Sequence, residues 1–249
     1  MSAKRIVSLV PSITELLVDL GLEENIVGVT KFCVHPEHLR KKTTIVGGTK
    51  NLRMDVIRQL QPDLILANKE ENVKEQVETL ATEFPVYTSE IGTWQETLDM
   101  ILRVGVLTGT EEKAASLVGT LTDRKTRFEA VTVNNGKRFR TLYLIWKKPW
   151  MSVGYDTFIH EMMGIAGFDN CCGHLERYPV LEEAEIISLA PEVILLSSEP
   201  YPFTEKHIVG LQKLVPEAVI LLADGELFSW YGSRLLGAFE YFSLLRSRI

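Results

Sequence analysis

The chain has 249 residues, 45% hydrophobic and 24% charged, which is enough apolar material for one large domain or two small ones. The net charge of −6, without a local run of Lys and Arg, argues against a nucleic-acid partner. No apolar run approaches the roughly 20 residues of a membrane-spanning helix. The three cysteines, two of them adjacent, do not make a disulfide framework, so we expect buried free thiols.

The start of the sequence carries no recognisable export signal. Residues 6–10 are apolar but too few for the apolar core of a signal peptide, and no small-residue cleavage site follows them. As printed, the sequence predicts a cytoplasmic protein. The alternative is an extracytoplasmic or periplasmic protein whose signal has been removed.

Strands and helices are predicted to alternate in the first part of the chain. Residues 6–10 are typical of a buried parallel strand, and a helix follows in which we expect Ser12 to be the N-cap and Glu15 to complete a capping box. Gly21 ends that helix. Further strands are predicted at 26–29, 64–67 and 86–87, and further helices at 54–60, 73–82 and, after a Thr93 cap, up to about 108.

One long helix is predicted over residues 111–131. Thr110 suits the N-cap, and Glu111 and Glu112 lie in the first turn, where the helix dipole favours acidic groups. The breaker Asn134-Asn135-Gly136 ends the helix. Apolar residues recur close to helical spacing at Ala114, Leu117, Val118, Leu121, Phe128 and Val131.

The pattern then restarts, with strands predicted at 141–146, 193–196 and 219–222 and helices at 157–164, 186–189, 208–214 and 234–248. Residues 57–66 match residues 186–195 at a constant offset of 129, each copy being a helix end, a proline followed by an acid, and an apolar strand. The repeat predicts an N-terminal α/β lobe (1–109), a linker helix (110–133) and a C-terminal α/β lobe (134–249). The alternative is that such units simply recur in any α/β protein.

Aromatic and basic residues collect in the loops after the predicted strands. In open α/β sheets the ligand lies beyond the carboxyl ends of the strands, so we expect a ligand cleft between the lobes. Large rings suit a bulky planar or ring-rich ligand, although the same rings could instead wedge the lobes together. The candidate ligand-binding residues are Phe32, His35, Thr49, Lys50, Trp146, Trp150, Tyr155, Tyr201, Phe228, Trp230, Tyr231 and Arg234.

The sequence offers no recognisable metal or catalytic motif. A metal site needs three or four converging ligands, and the spacing of the five histidines does not support one. The chain lacks a G-x-S-x-G elbow and the glycine-rich loops that bind phosphate. We therefore expect a binding protein without catalytic residues, bound metal ion or cofactor.

Nearly the whole chain also resembles a known group of proteins. The segments that carry the resemblance are RIVSLVPSITELLVDLGL, VGVTKFCVHPE, VGGTKNLRMDVIRQLQPDLILA, VGYDTFIHEMMGIAGFDN and ISLAPEVILLSS. They look like the helical-backbone metal receptors, or class III periplasmic binding proteins, and are most similar to the vitamin B12-binding branch. The resemblance implies two Rossmann-like lobes joined by one long linker helix, with the ligand cleft between them.

The resemblance also implies a function. Its members are substrate-binding proteins that hold a metal chelate, which here would be a corrinoid, haem or a ferric siderophore, and deliver it to the permease of an ABC importer. Ligand-facing aromatics would fall at Phe32, His35, Trp150, Phe228 and Trp230. One exposed glutamate per lobe would pair with permease arginines, and Glu75 (or Glu71) and Glu205 match those positions.

The sequence departs from the family pattern in two places, and two other functions stay open. Residues 168–173 replace the family's Cys-Gly-Gly-Asx, and Thr49 stands where an aromatic lines the cobalamin site. The missing export signal leaves a cytosolic enzyme or chaperone of corrinoid or metal-chelate metabolism as one alternative. A direct zinc- or manganese-binding protein is the other. In each case we expect a monomer.

Overall fold

The structure is a computed structural model that describes residues 3–133 and 136–249, Val133 for its backbone only. The strands are β1 (Ile6–Ser8), β2 (Ile26–Val29), β3 (Thr44–Ile45), β4 (Gly47–Gly48), β5 (Asn51–Leu52), β6 (Leu64–Asn68), β7 (Val86–Ser89), β8 (Phe139–Leu144), β9 (Trp150–Met151), β10 (Phe168–Asn170), β11 (Val180–Leu181), β12 (Val193–Ser197) and β13 (Val219–Ala223). The helices are α1 (Pro11–Asp19), α2 (Leu39–Lys42), α3 (Met54–Leu60), α4 (Lys74–Ala81), α5 (Trp94–Thr108), α6 (Glu111–Phe128), α7 (Phe158–Ile165), α8 (Glu183–Ser188), α9 (Glu205–Leu214), α10 (Glu226–Ser229) and α11 (Leu235–Arg246).

The described residues divide into two compact units. The first unit contains the residues up to Ile91 together with Gln95–Leu121 and Trp230–Arg234. The second contains Gly92–Trp94, the described part of Thr122–Ser229, and Leu235–Ile249. The long helix α6 is therefore divided: its residues up to Leu121 belong to the first unit and those from Thr122 onward to the second. The short segment Trp230–Arg234, which the sequence places with the C-terminal lobe, groups with the first unit.

The first unit is built on a five-stranded sheet in the order β3-β2-β1-β6-β7, with every pairing parallel. The inner strands β1 and β6 are wholly buried and mostly apolar because this part of the parallel sheet is covered on both faces, whereas the edge strands β3 and β7 are partly exposed. Val7 and Ile65 of the two central strands are fully buried and pack against Ile57 of α3 and Leu80 of α4. This packing aligns the carboxyl ends of the strands along one edge, where the loops after β1, β2, β3, β6 and β7 begin.

The second unit repeats the design with four parallel strands in the order β10-β8-β12-β13. Its core combines Leu142 and Leu144 of β8 with Ile194 and Leu196 of β12, all four without solvent exposure. The edge strand β10 was not predicted from the sequence. Its three residues include an aspartate and an asparagine, so it lacks the apolar run that identifies the other strands.

The predicted α/β class with parallel sheets and a long helix is confirmed, and the internal repeat has a structural counterpart. Helices α3 and α8 begin 129 residues apart, and so do strands β6 and β12. Just before each proline, Gln61 and Ala190 adopt left-handed backbone conformations, with φ of 45° and 43°. Residues other than glycine rarely adopt this backbone conformation, so its presence at both equivalent positions marks the same tight helix-to-strand turn.

One arginine in each unit closes that turn. Arg5 donates from Nη2 to the carbonyl oxygen of Leu60 at 2.6 Å, and Arg140 donates in the same way to the carbonyl oxygen of Leu189 at 2.6 Å. The main-chain N–H of each arginine also donates to the acid after the proline, at 2.9 Å in both units. The two guanidinium bonds satisfy carbonyl groups that a helix C-terminus otherwise leaves without partners.

Two local expectations need correction or restriction. Ser12 is not the N-cap of α1: the cap is Val10, without a side-chain cap bond, and the helix begins at Pro11. Proline is favoured at the first helical position because that N–H has no partner within the helix. The regular part of the long helix ends at Phe128 and continues as a π-helical turn, Glu129–Val133. The predicted breaker at Asn134 and Asn135 lies outside the described residues.

Two further findings concern all of the described chain. Cys33 and Cys172 are buried and Cys171 is half-buried, all three as free thiols, and burial raises the pKa of each. Within residues 3–133 and 136–249, no helix combines the length and apolar character that crossing a membrane requires.

Candidate functional site

Phe32 is the most exposed aromatic side chain among the candidate residues of the first unit. It lies in the loop after β2, with 49% of its surface exposed, and the Lys31 ammonium lies 5.0 Å from the centroid of its ring. A Cβ atom added to Gly48 would lie 3.3 Å from the Phe32 ring, so the absence of a side chain allows this close approach. The ring therefore rests on the β4–β5 hairpin and presents an open face.

The Trp230 ring contacts two other candidate residues of the first unit, His35 and Arg234. Its ring lies edge-on to His35, with centroids 5.5 Å apart, and the Arg234 guanidinium lies 4.9 Å from it. Arg234 in turn makes a bidentate pair with Glu15 of α1, with both N–O distances 2.7 Å. Bidentate charge-assisted pairs are the strong kind, so the arginine is fixed and its charge is balanced.

Thr49, Lys50 and Tyr231 belong to the same unit but differ in exposure. Thr49 and Tyr231 are buried, at 7% exposure each, and burial raises the pKa of the Tyr231 phenol. Lys50 is exposed and donates to the carbonyl oxygen of Glu70 at 2.6 Å. The structure thus places these candidates near the strand ends, with only Lys50 at the surface.

Two asparagines that sequence reasoning missed fix the loop after β6. The side-chain oxygen of Asn68 accepts the N–H of Glu70 at 2.9 Å, and that of Asn72 accepts the N–H of Asn68 at 2.9 Å. The Asn72 amide donates to the carbonyl oxygens of Leu9 and Thr49. An asparagine at each end of a polar loop directly after an apolar strand is the signal that could have identified them.

Three candidate aromatics of the second unit, Trp146, Trp150 and Tyr201, form a cluster with Phe203, called here the four-ring cluster. Trp146 lies edge-on to Tyr201 with centroids 5.5 Å apart, and Tyr201 lies 4.7 Å from Phe203. Phe203 stacks on Trp150 at 6.3 Å with the rings nearly parallel. The loop after β8 supplies the tryptophans and the loop after β12 supplies the other two rings, so the cluster lies at the carboxyl edge of the sheet.

Two members of this cluster face solvent differently. Trp146 is 38% exposed. Trp150 is half-buried, the Lys147 ammonium lies 5.3 Å from its ring centroid, and a groove of about 390 Å³ opens beside it. Among the predicted ligand residues of this unit, Tyr155 is half exposed and donates from its hydroxyl to Glu176 at 2.8 Å.

Phe228 does not present its ring to the surface. It is fully buried in the second unit, with ring centroids 5.1 Å from Tyr143 and 4.7 Å from Phe242. These contacts make it part of the packing between β8 and α11. We therefore leave Phe228 out of the ligand-contacting set proposed below.

The two glutamates expected to meet a permease occupy similar places in their units. Glu75 lies in the first turn of α4, and Glu205 is the first residue of α9. Both are exposed, and both helices follow the central strands β6 and β12. An acid in the first turn also complements the helix dipole.

The histidines lie in separate surroundings. His38 pairs with Glu23 at 2.9 Å, which together with Lys42 holds the pKa of that carboxyl below its usual range. His160 contacts Asn170 at 3.1 Å, and His207 is buried beside the four-ring cluster. In the described part of the chain, no three His, Cys, Asp or Glu side chains come together as a metal site would require.

Two proteins are similar in sequence to this chain over most of its length. An ABC transporter substrate-binding lipoprotein of Bacillus subtilis is 26% identical over 201 residues, covering 77% of this chain but only 63% of that relative. A vitamin B12-binding protein of Vibrio parahaemolyticus is 24% identical over 209 residues, covering 83% of this chain and 72% of the relative.

Solved structures share the fold. The periplasmic vitamin B12-binding protein of Vibrio cholerae superposes with a TM-score of 0.81 at 22% identity, covering 98% of both chains. A periplasmic haem-binding protein of Roseiflexus sp. RS-1 gives a TM-score of 0.84 at 20% identity, covering 98% of this chain and 97% of that one. The family model for periplasmic binding proteins matches residues 6–218, so the chain belongs to the periplasmic binding protein family.

Proposed function

We propose that the protein binds a metal chelate outside the cytoplasm and delivers it to the permease of an ABC importer, with no catalytic step. The observation that carries the proposal is the four-ring cluster at a sheet's carboxyl edge in a chain of this family. Flat aromatic groups bind a broad macrocycle by contact area and need no covalent chemistry. The related lipoprotein and vitamin B12-binding proteins support the same role.

The proposed contact set has a part in each unit. In the first unit it comprises Phe32, His35, Thr49, Lys50, Trp230, Tyr231 and Arg234. In the second unit it comprises Trp146, Trp150, Tyr155 and Tyr201. The exposed rings of Phe32, Trp146 and Tyr155, together with the exposed Lys50, are the members open to an incoming ligand.

Among the chelates, we propose a corrinoid first and haem or a ferric siderophore second. An anionic chelate is best held by cations whose charge is not already balanced. In the first unit Arg234 is paired with Glu15, and Lys69 is paired with Glu90 at 2.5 Å. The paired Arg234 favours a ligand whose rim consists of uncharged amides, as in a corrinoid. Lys31 beside Phe32 and Lys147 beside Trp150 can instead meet carboxylates, which keeps haem or a ferric siderophore as the second choice.

For the permease contact we propose Glu75 and Glu205. Each is an exposed carboxylate at the start of a helix, where it can meet a basic side chain without leaving a buried charge behind. Rim charges of this kind mainly speed association and set orientation.

The experiment is a titration of the purified chain with cyanocobalamin, haemin and a ferric hydroxamate, followed by tryptophan fluorescence and visible absorption. We expect cyanocobalamin to quench the fluorescence at micromolar concentration. Trp146→Ala should weaken binding about tenfold or more, since central aromatic contacts contribute a large share of binding energy. Trp94→Phe is the matched control, because Trp94 packs against Phe239 and not in the four-ring cluster.

Two results would contradict the proposal. One is a folded wild-type chain that binds none of the three chelates at micromolar concentration. The other is Trp146→Ala binding cyanocobalamin as tightly as the wild type and the Trp94→Phe control do. Binding of haemin or the hydroxamate in place of cyanocobalamin would overturn only the preference for a corrinoid.

A further inference from the structure

His207 lies where the aromatic cluster of the second unit meets a helix. It is the third residue of α9 and only 6% exposed. Its ring Nδ1 accepts the main-chain N–H of Thr204 at 2.9 Å, as the acceptor of a capping box. A histidine in place of the usual Glu or Gln of a capping box puts a second nitrogen on the far side of the ring.

The capping bond determines which nitrogen carries the proton. Because Nδ1 accepts from Thr204, the neutral ring carries its hydrogen on Nε2. That nitrogen lies 3.3 Å from the Tyr201 hydroxyl oxygen and donates to it. The imidazole also packs edge-on against Tyr201 at 5.5 Å and Phe203 at 5.4 Å. One ring therefore connects the helix start to two members of the four-ring cluster.

The contacts continue to the exposed tryptophan. Tyr201 lies edge-on to Trp146, and its main-chain N–H donates to the carbonyl oxygen of Ile145, the residue before that tryptophan. Phe203 stacks on Trp150. A change in the His207 ring thus reaches both tryptophans through a single intervening ring.

The charges around His207 favour the neutral form that this arrangement needs. Burial lowers the pKa of His207, and the nearby ammonium groups of Lys147 and Lys206 lower it further, while a contact with Thr204 opposes them. Protonation would place a hydrogen on Nδ1, which would end the bond accepted from the N–H of Thr204. The same nitrogen would then donate to the carbonyl oxygen of Thr204, 3.1 Å away, so the bonding of the ring at the start of α9 would change.

We propose that His207 is a positioning residue for chelate binding, which holds Tyr201, and through it Trp146, in a fixed orientation against the start of α9. The inference rests on the proposed function for its effect on affinity, but its effect on ring geometry exists without a ligand. His207 contacts neither tryptophan nor the ligand in this scheme and acts through Tyr201 and Phe203.

The test uses the full chain labelled with 5-fluorotryptophan, whose four fluorine resonances are assigned by single Trp→Phe variants. In His207→Leu, we expect the Trp146 and Trp150 resonances to shift and broaden while those of Trp94 and Trp230 stay in place. Cyanocobalamin affinity should fall about tenfold, the size expected from a lost hydrogen bond. His207→Gln, which can still donate to Tyr201, should restore part of both effects.

His38→Gln is the matched control, because His38 is exposed and pairs with Glu23 in the first unit. It should change neither the fluorine spectrum nor the affinity. In the wild type, the Trp146 resonance should titrate as the pH falls below 6.5, the ordinary pKa of histidine, and this titration should be absent in His207→Leu.

An unchanged Trp146 resonance and unchanged affinity in His207→Leu would overturn the inference while leaving the proposed function intact. A wild type that binds no chelate would remove the proposed function, and the fluorine spectrum would still decide the positioning role. If His207→Leu fails to fold, Tyr201→Phe removes the accepting hydroxyl and keeps the ring. It should then shift the Trp146 resonance, and an unshifted resonance would overturn the inference.

Discussion

The two units share a scaffold but differ at the edge where their loops begin. Equivalent helix-to-strand turns have a left-handed residue at the same position, the same arginine-to-carbonyl bond and an accepting acid after the proline. The edges are unlike: the first has asparagine-fixed polar loops and one tryptophan beside a paired arginine, and the second has four clustered rings. The comparison shows that the repeat preserves what folds the chain, while the loops after the strands have diverged to provide different contacts.

The largest expected effect tests whether the two scaffolds are equivalent in energy. Ile65 and Ile194 occupy matching positions in β6 and β12, and both are fully buried. We expect Ile65→Ala and Ile194→Ala each to lower the unfolding free energy of its own unit by about 2–5 kcal/mol, because each leaves a cavity in a packed core. Urea unfolding measures both.

Ile187→Ala is the control for that pair, since Ile187 is 51% exposed, and its effect should stay within about 0.5 kcal/mol. If one core substitution lowers the unfolding free energy by less than about 1 kcal/mol and the other lowers it by several kcal/mol, the two sheets are not energetically equivalent and the comparison fails.

A smaller effect is expected at the equivalent turns. Arg5→Met and Arg140→Met each remove the bond from the guanidinium to a helix C-terminal carbonyl. We expect a loss of about 1 kcal/mol for each in thermal or urea unfolding, the net contribution of a typical hydrogen bond. Arg127→Met, which removes only an exposed pair with Asp123, should change stability little. Unequal losses at Arg5 and Arg140 would mean that the shared turn has lost its role in one unit.

The smallest effect is a pH dependence. Lys137, with the Arg140 N–H, lowers the pKa of Glu192, and Arg58 lowers the pKa of Glu83 in the first unit. A carboxyl with a lowered pKa stabilises the folded state above its ordinary pKa of 4.5, and this contribution is lost as the pH falls through the lowered value. Between neutral and acid pH, the melting temperature should therefore fall less for Glu192→Gln and Glu83→Gln than for the wild type. Identical acid profiles for all three proteins would contradict this expectation.

The sequence predicts much of this scaffold because its signals are local. Strands β6 and β12 follow a proline and an acid as uninterrupted apolar runs, and α3 is found at its predicted bounds. Strand β10 and the β9–β11 pairing were missed because two or three residues are too few for a period to be visible. The Ser12 cap failed because Pro11 can itself begin the helix.

The candidate site is harder to predict because its members come from distant parts of the chain. Local sequence shows that Trp146 and Tyr201 follow strands, but the contact between their rings depends on the pairing of β8 with β12. Phe228 shares its composition signal with Trp230, yet the chain places one ring in a core and the other beside His35. Both rings are buried, and α10, which holds Phe228, has only four residues, so spacing does not reveal which side chains each ring contacts.

The return of Trp230–Arg234 to the first unit has a consequence for synthesis of the chain. A ribosome that has released everything up to α10 has produced all five strands of the first sheet, but Glu15 still lacks its arginine and His35 its indole. The β-sheet of the first unit can form early in translation, whereas its candidate binding edge is complete only after residues 230–234, just before the last helix, have emerged. A truncated product ending before Trp230 would thus retain a sheet without the aromatic and charged contacts that distinguish its edge.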